Sequence, residues 1–333
     1  CRQQPHTRTA GGGEAPEEIL PGVHRISVPL PETPLKAVNA YVFSGGRRTL
    51  VVDTGLDCDA SLQAFTTGTA ALGVDLEHAD FLLTHLHADH FGLISRVASA
   101  GSRIYAHARD LALLRSWESF EPMIRYSLGH GFPETPLRRF FQNHPAARFD
   151  SRWARRALPV AEGDRIEAGP CTLVCIETPG HSPGHICLYD SDKKILVSGD
   201  HILEEISSNI QCRSDEANPL GDYLASLEKV RDLSVDRVLP GHRRVFGGHR
   251  QRIDQLVAHH RRRCEEIAAA VEAGPASAFE AASRVRWDID AASWDEVSYV
   301  QKWFATVETI SHLRYLEVEG RIARRPDKDR GVT

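Results

Sequence analysis

The sequence predicts an α/β fold with a small, mostly helical C-terminal region, and three observations carry that reading. Short apolar, β-branched runs bounded by Gly, Pro or Asp recur between residues 24 and 242, as strands do. Segments with apolar residues at helical spacing, such as 60–72 and 220–233, lie between them. Beyond about residue 248 strong strand runs cease until the end of the chain, and long helical patterns take over.

Each element follows from its residues. The first twenty, ending in GGGEAPEEIL, are polar and Gly-rich and read as a flexible leader. Strands are predicted at HRISVPL (24–30), NAYVFSG (39–45) and TLVVDTG (49–55), then at DFLLT (80–84) and RIYAH (103–107). FGLISRVAS (91–99) reads as a helix. Residues 108–147 break the rhythm with helical spacing and exposed-looking aromatics, the pattern of a helical insertion. Strand signals return at DRIEAG, CTLVCIE, HICLYD, KILVSGD and RVLPGH. A long helix then runs to Gly274, with Pro275 after it as a stop signal. The tail reads as a helix, a Gly turn and a short strand. The organisation expected is a leader over 1–20, a main domain over 21–247 and a helical domain over 248–333.

Composition excludes several classes. The chain has 333 residues, 41% hydrophobic and 26% charged, enough for a sizeable core. No apolar stretch approaches the 18 or so residues of a membrane span, so no membrane role is expected. A net charge of −5 argues against a uniformly basic nucleic-acid binder. Seven scattered Cys without a CxxC pair fit neither a disulfide scaffold nor a zinc ribbon, and point to the cytoplasm. The sequence starts at Cys1 without a Met, and a lipid-anchored Cys1 is the weaker alternative.

The chemistry concentrates in Thr84-His85-Leu86-His87-Ala88-Asp89-His90, with four candidate ligands within six residues. His85 and His87 are i and i+2 and face one side of an extended segment. Asp89 and His90 follow at the turn into a helix. Five apolar runs each end in such a residue: Asp53, the His85–His90 cluster, His181, Asp200 and His242. Ligands gather beyond the carboxyl ends of strands in open sheets. Counting assigns His85, His87 and His181 to one ion and Asp89, His90 and His242 to another, with Asp200 bridging. These N and O donors without thiolate suit two Zn ions, with Fe or Mn also accommodated. Two such cations would make a shared water acidic enough to serve as hydroxide near neutral pH. Asp53 is read as holding a ligand His in the right tautomer. His185, which opens the next strand, is read as a supporting residue rather than a ligand. His201 stays open.

VVDTG, THLHADH, TPGHSPGH, SGDHIL and LPGH, in that order over residues 20–246, resemble the metallo-β-lactamase superfamily, especially its glyoxalase II-like hydrolases. The resemblance implies an αββα sandwich with a dinuclear site at one edge, and places the family's metal ligands on His85, His87, Asp89, His90, His181, Asp200 and His242. The tail ETISHLRYLEVEGRIARR resembles the winged-helix end carried by some of these hydrolases. Asp200 departs from true β-lactamases of the fold, His87 from the flavodiiron branch, and His242-Arg243-Arg244 from the glutathione-binding segment of glyoxalase II.

The expected activity is hydrolysis of a small-molecule ester, thioester or lactone by a metal-bridging hydroxide, with Asp89 as the catalytic residue that orients it and relays a proton. The insertion's aromatics would roof the site, or else pack internally or form a homodimer contact. A nuclease is the alternative, on the strength of Arg138-Arg139, Arg155-Arg156, Arg243-Arg244 and Arg261–Arg263. A mononuclear iron persulfide dioxygenase is a minor one, and a non-enzymatic metal-bearing scaffold whose tail binds a partner the last. No substrate-binding residue is assigned.

Overall fold

A computed structural model describes residues 14–31, 33–144, 150, 152–327 and 331–332. Two sheets lie face to face with helices on both outer sides. The first holds seven strands in sequential order: β1 Glu17–Leu20, β2 Val23–Pro29, β3 Ala37–Phe43, β4 Leu50–Val52, β5 Asp80–Leu82, β6 Ile104–His107 and β7 Leu158–Val160. Pairing is antiparallel from β1 to β4 and parallel from β4 to β7. The second sheet runs β12-β11-β10-β9-β8, from β8 Arg165–Ala168, β9 Cys171–Glu177, β10 Ile186–Asp190, β11 Ile195–Gly199 and β12 Arg237–Pro240. Only its β11–β12 pair is parallel.

Strand alternation builds the layers. In β3, Val38, Ala40 and Val42 face the outer core shared with α1 (Asp59–Ala71), whereas Tyr41 and Phe43 face the second sheet. That sheet answers with Leu173 and Cys175 of β9, Ile186 and Leu188 of β10 and Val197 of β11. Its other face, with Ile176, Cys187 and Leu196, packs against the C-terminal half of the chain.

The prediction over 91–99 needs correcting. The segment is two short helices, α2 Ala88–Phe91 and α3 Ile94–Val97, broken around Gly92. A Cβ at Gly92 would stand 2.5 Å from Ala88 O and 2.6 Å from Asp57 N, so the chain crosses there against another backbone. The insertion is helical as expected: α4 Ala108–Arg115, α5 Glu121–Leu128 and α6 Glu134–Gln142, with its last expected residues partly outside the described ones. Strand β7 was not foreseen. It is an edge strand with Pro159 inside it and Leu158 exposed, a weak sequence signal that an edge tolerates.

α7 Pro219–Arg231 covers the second sheet, and α8 His249–Glu272, α9 Ala278–Arg284 and α10 Tyr299–Val318 form the helical C-terminal region. Ile253, Leu256 and Ile267 of α8 share one cluster with Leu220 and Leu227 of α7 and Leu196 of β11. The insertion's aromatics are used inside the chain: Phe132, Phe140 and Phe141 pack with Trp303 and Val307 of α10, Phe140 stacking on Trp303 at 5.2 Å.

Both ends differ from expectation. The leader lies up to residue 13 outside the described residues, but Glu17–Leu20 is strand, opposite β2, with Glu17 paired to Arg25. After Gly320 no strand forms at residues 321–325; Arg321 is held by Glu265 and Arg324 by Glu317 and Asp215, so ion pairs pin that segment to its neighbours. The strand pair that does follow, β13 Pro326–Asp327 with β14 Gly331–Val332, has two residues on each side. Among the described residues no helix is long and apolar enough to cross a membrane.

Candidate metal centre

The centre sits where β4, β5, β11 and β12 and the β9–β10 loop end together. Asp53, just past β4, has φ +60°, a left-handed conformation that Asp tolerates better than most residues. This turn aims its carboxylate at the next loop. Oδ1 accepts Thr84 N–H at 2.9 Å, and Oδ2 accepts Thr84 Oγ1–H at 2.8 Å and stands 2.8 Å from His90 Nδ1. His87 then caps α2 in extended conformation, and the helical turn brings Asp89 and His90 round to the same centre.

The remaining candidate ligands arrive from the second sheet. His181 Nδ1 lies 2.9 Å from Asn209 O, and His242 Nδ1 lies 2.7 Å from Ala37 O. A carbonyl only accepts, so both rings donate from Nδ1 and turn an Nε2 lone pair to the centre in their neutral form. β3 clasps the end of β12: Asn39 Nδ2 and Tyr41 Oη both donate to Pro240 O at 2.8 Å, and Asn39 N donates to Gly241 O at 2.7 Å. A Cβ at Gly241 would sit 2.4 Å from Asp200 Oδ1 and 2.8 Å from His90 Cε1, so only glycine lets the chain pass this closely.

Seven side chains converge. His85, His87 and His181 form one group and Asp89, His90 and His242 another, with ligand atoms within 4.8 Å in each. Asp200 touches both: Oδ2 lies 3.6 Å from His181 Nε2 and 3.4 Å from His242 Nε2, and Oδ1 3.5 Å from His90 Nε2. His85 Nε2 and His181 Nε2 are 3.2 Å apart, and His242 Nε2 and Asp89 Oδ2 3.4 Å. Tetrahedral coordination with metal–nitrogen bonds of about 2.0–2.1 Å places neighbouring ligand atoms about 3.3–3.4 Å apart, so these spacings suit ligands sharing an ion. His87 Nε2, His90 Nε2, His242 Nε2 and Asp200 Oδ1 are buried without a hydrogen-bond partner. Orphaned buried atoms are costly, and here they point at one another. The donor set fits divalent cations.

The electrostatics agree. Burial, with neighbouring imidazoles, holds His85 and His87 well below the usual histidine range, and burial also lowers His181; all three are neutral and able to ligate. Burial would lower His90 and His242 too. The carboxylates of Asp53, Asp200 and Asp89 outweigh it at His90, and those of Asp200 and Asp89 at His242, which rises to about 10. Asp89 and Asp200 fall despite burial because His90 and His242 face them. Without metal, protons on these two rings offset the carboxylates.

His185 stands apart from this set. Its Nε2 accepts Asp200 N–H at 3.1 Å and its Nδ1 meets Thr178 Oγ1 at 2.8 Å, so both nitrogens are engaged. His201 is buried against Tyr223 and belongs to neither ligand group.

Three residues escaped the sequence reading. Asp110, on α4 and 1% exposed, accepts Leu86 N–H at 2.9 Å, Ser182 Oγ–H at 2.8 Å and Gly184 N–H at 2.7 Å. It ties the His85–His87 loop to the His181 loop. Asn209 supplies the carbonyl behind His181. Arg213 lies near enough for its charge to act on His87 and Asp110, and it has no hydrogen-bonded or ion-paired partner among the described residues. None sits in a motif; Asp110 follows an ordinary strand, and Asn209 and Arg213 lie in an irregular loop.

Comparison with known proteins follows the geometry. The family model described as "Metallo-beta-lactamase superfamily" matches residues 33–242, more than half of the chain. A human protein named acyl-coenzyme A thioesterase MBLAC2 is 28% identical over 64% of the chain and 75% of its own length. The probable metallo-hydrolase YqjP of Bacillus subtilis is 27% identical over 85% of the chain and 88% of its own length. The chain spans 65% to 75% of the length of the first animal relatives it matches. The crystal structure of a metallo-beta-lactamase family protein from Thermus thermophilus superposes with TM-score 0.77 at 30% identity, covering 92% of this chain and 97% of that one. Sequence, fold and ligand geometry meet in one conclusion: the chain belongs to the metallo-β-lactamase superfamily and is a metal-dependent hydrolase.

Proposed function

We propose that the chain hydrolyses a small-molecule thioester, with coenzyme A thioesters as the class to test first, at a centre of two divalent ions, zinc foremost. One observation carries the dinuclear reading: Asp200 reaches ligands of both groups, with Oδ2 between His181 and His242 and Oδ1 beside His90. Bound divalent ions supply Lewis acidity and bring the pKa of water towards neutrality. Asp89, 3.4 Å from His242 Nε2, is held ionised by the facing imidazoles and is placed to orient a water and accept its proton. Asp53 keeps His90 in the Nδ1–H tautomer, and Asp110 fixes the two ligand loops.

Substrate class rests on three supports. The human relative's name is a thioesterase. Arg213 is a half-buried cation beside the centre without a partner, suited to an anionic substrate. A cavity of about 310 Å³ in the insertion has a mixed lining, with Trp117, Phe120, Ile124 and Phe141 on one hand and Glu121 and Arg138 on the other, and its aromatic part is the place offered to an acyl chain. Phe120 stands 5.0 Å from the ring of His144, which lies in the field of Asp89. The phosphodiester reading has less support, since Arg138, Arg244 and Arg263 are engaged by carboxylates. The described cysteines are all free thiols, in keeping with a cytoplasmic setting.

Elemental analysis beside turnover of an acyl-coenzyme A, a lactone and a phosphodiester tests the reading. At least two ions per chain with acyl-coenzyme A turnover supports it. Turnover of the phosphodiester alone, or one iron per chain with oxygen consumed on a persulfide, overturns it.

A further inference from the structure

A second cluster of unsatisfied side chains lies in the helical region, between α8 and α10. His312 Nδ1 is 2.8 Å from Glu308 O, and a carbonyl only accepts, so that nitrogen carries the hydrogen. His312 Nε2 is then an acceptor. His260 Nδ1, 3.2 Å from it, must donate, which leaves a lone pair on His260 Nε2. That atom belongs to a fully buried residue and has no hydrogen-bond partner. His259 Nε2 is buried and unpartnered as well. One donor group of each of His259, His260 and Glu308 comes within 4.8 Å of the others.

We propose that His259, His260 and Glu308 form an additional divalent metal site of the Zn class, separate from the catalytic centre. Two imidazole nitrogens and a carboxylate are a donor set that zinc accepts. Glu308 is under-supplied as it stands, with Asn209 Nδ2 at 3.3 Å as its side-chain donor, and burial pushes its carboxyl up to about 7. A cation supplies what the carboxylate and the two unpartnered imidazole nitrogens lack. Closing the set to the about 3.4 Å spacing of a tetrahedral site takes side-chain shifts of roughly an ångström.

The nearest cation, Arg263, is close enough for its charge to act on Glu308, His259 and His260, but its hydrogen bonds go elsewhere. Arg263 Nη1 donates to Glu266 at 2.7 Å and to Arg286 O at 2.9 Å, and its guanidinium lies over the Trp287 ring at 4.2 Å. His259 borders a groove of about 750 Å³, the side from which solvent comes nearest to the cluster. The two sites share a neighbour: Asn209 donates to Glu308 and offers its carbonyl to His181.

The test counts ions. Wild type, His259→Ala and Glu308→Gln are incubated with excess ZnCl2, desalted and assayed by elemental analysis, with circular dichroism to confirm folding. Each variant is expected to hold one Zn fewer than wild type, whatever number the catalytic centre holds. Equal counts in all three overturn the site. Anomalous diffraction from zinc-soaked wild-type crystals needs no variant: a peak between the three side chains is expected, and its absence overturns the proposal.

Discussion

Oδ2 of Asp53 stands 2.8 Å from Nδ1 of His90, on the side of the ring away from the metal centre. The carboxylate thereby fixes which nitrogen faces the cluster of His and Asp side chains. Asp53→Asn removes the charge and keeps a residue that tolerates φ +60°. Zinc affinity, measured by competition with a chromogenic chelator, is expected to fall about 10–100-fold. Unchanged affinity would reduce Asp53 to a turn residue.

Asp110 receives three donors from two ligand loops. An amide offers one oxygen, and its NH2 would face a donor. Asp110→Asn should therefore cost about 2–4 kcal/mol and lower the melting temperature by roughly 3–6 °C. A melting curve matching wild type would show that the loops hold themselves.

Metal loading should depend on pH with a definite sign. Burial opposes the charge on His242, but Asp200 and Asp89 raise it to about 10. In metal-free protein this pair stabilises the fold fully below the unfolded histidine value near 6.5, and that contribution is lost as pH rises towards 10. An incoming ion must displace the proton. Zinc binding is expected to release protons at neutral pH and to tighten as pH rises from about 6.5. Calorimetry in buffers of different ionisation enthalpy reads the number released; a heat independent of buffer would contradict this account.

Arg213 tests the substrate. Arg213→Ala should raise KM for an acyl-coenzyme A about tenfold at low salt and leave kcat near wild type. An uncharged thioester should be unaffected. Equal effects on both would place Arg213 in supporting the centre rather than in binding the anion.

The convergence of the candidate ligands was legible because each follows a strand, where a motif of a few residues fixes position and direction together. TLVVDTG, ILVSGD and RVLPGH each show an apolar run and its polar ending. The supports were harder to read. Asp110 meets Leu86 and Gly184 across 24 and 74 residues, and nothing local marks that meeting. The break at Gly92 depends on a backbone crossing at Asp57, and β7 on a neighbouring strand accepting Pro159 at an edge. The strand expected after Gly320 lost to ion pairs with Glu265 and Glu317, partners that a propensity argument does not see.

The clasp of Asn39 and Tyr41 on Pro240 joins residues about 200 positions apart. During synthesis β3 emerges long before the segment it holds. His85 precedes His181 by 96 residues, which at about 5–20 residues per second is roughly 5–20 s. Through that interval the growing chain carries ligands without their partners. The seven side chains therefore come together late, once the end of β12 is held by the strand made near the beginning, and a chain released before His242 leaves the ribosome lacks the last of them.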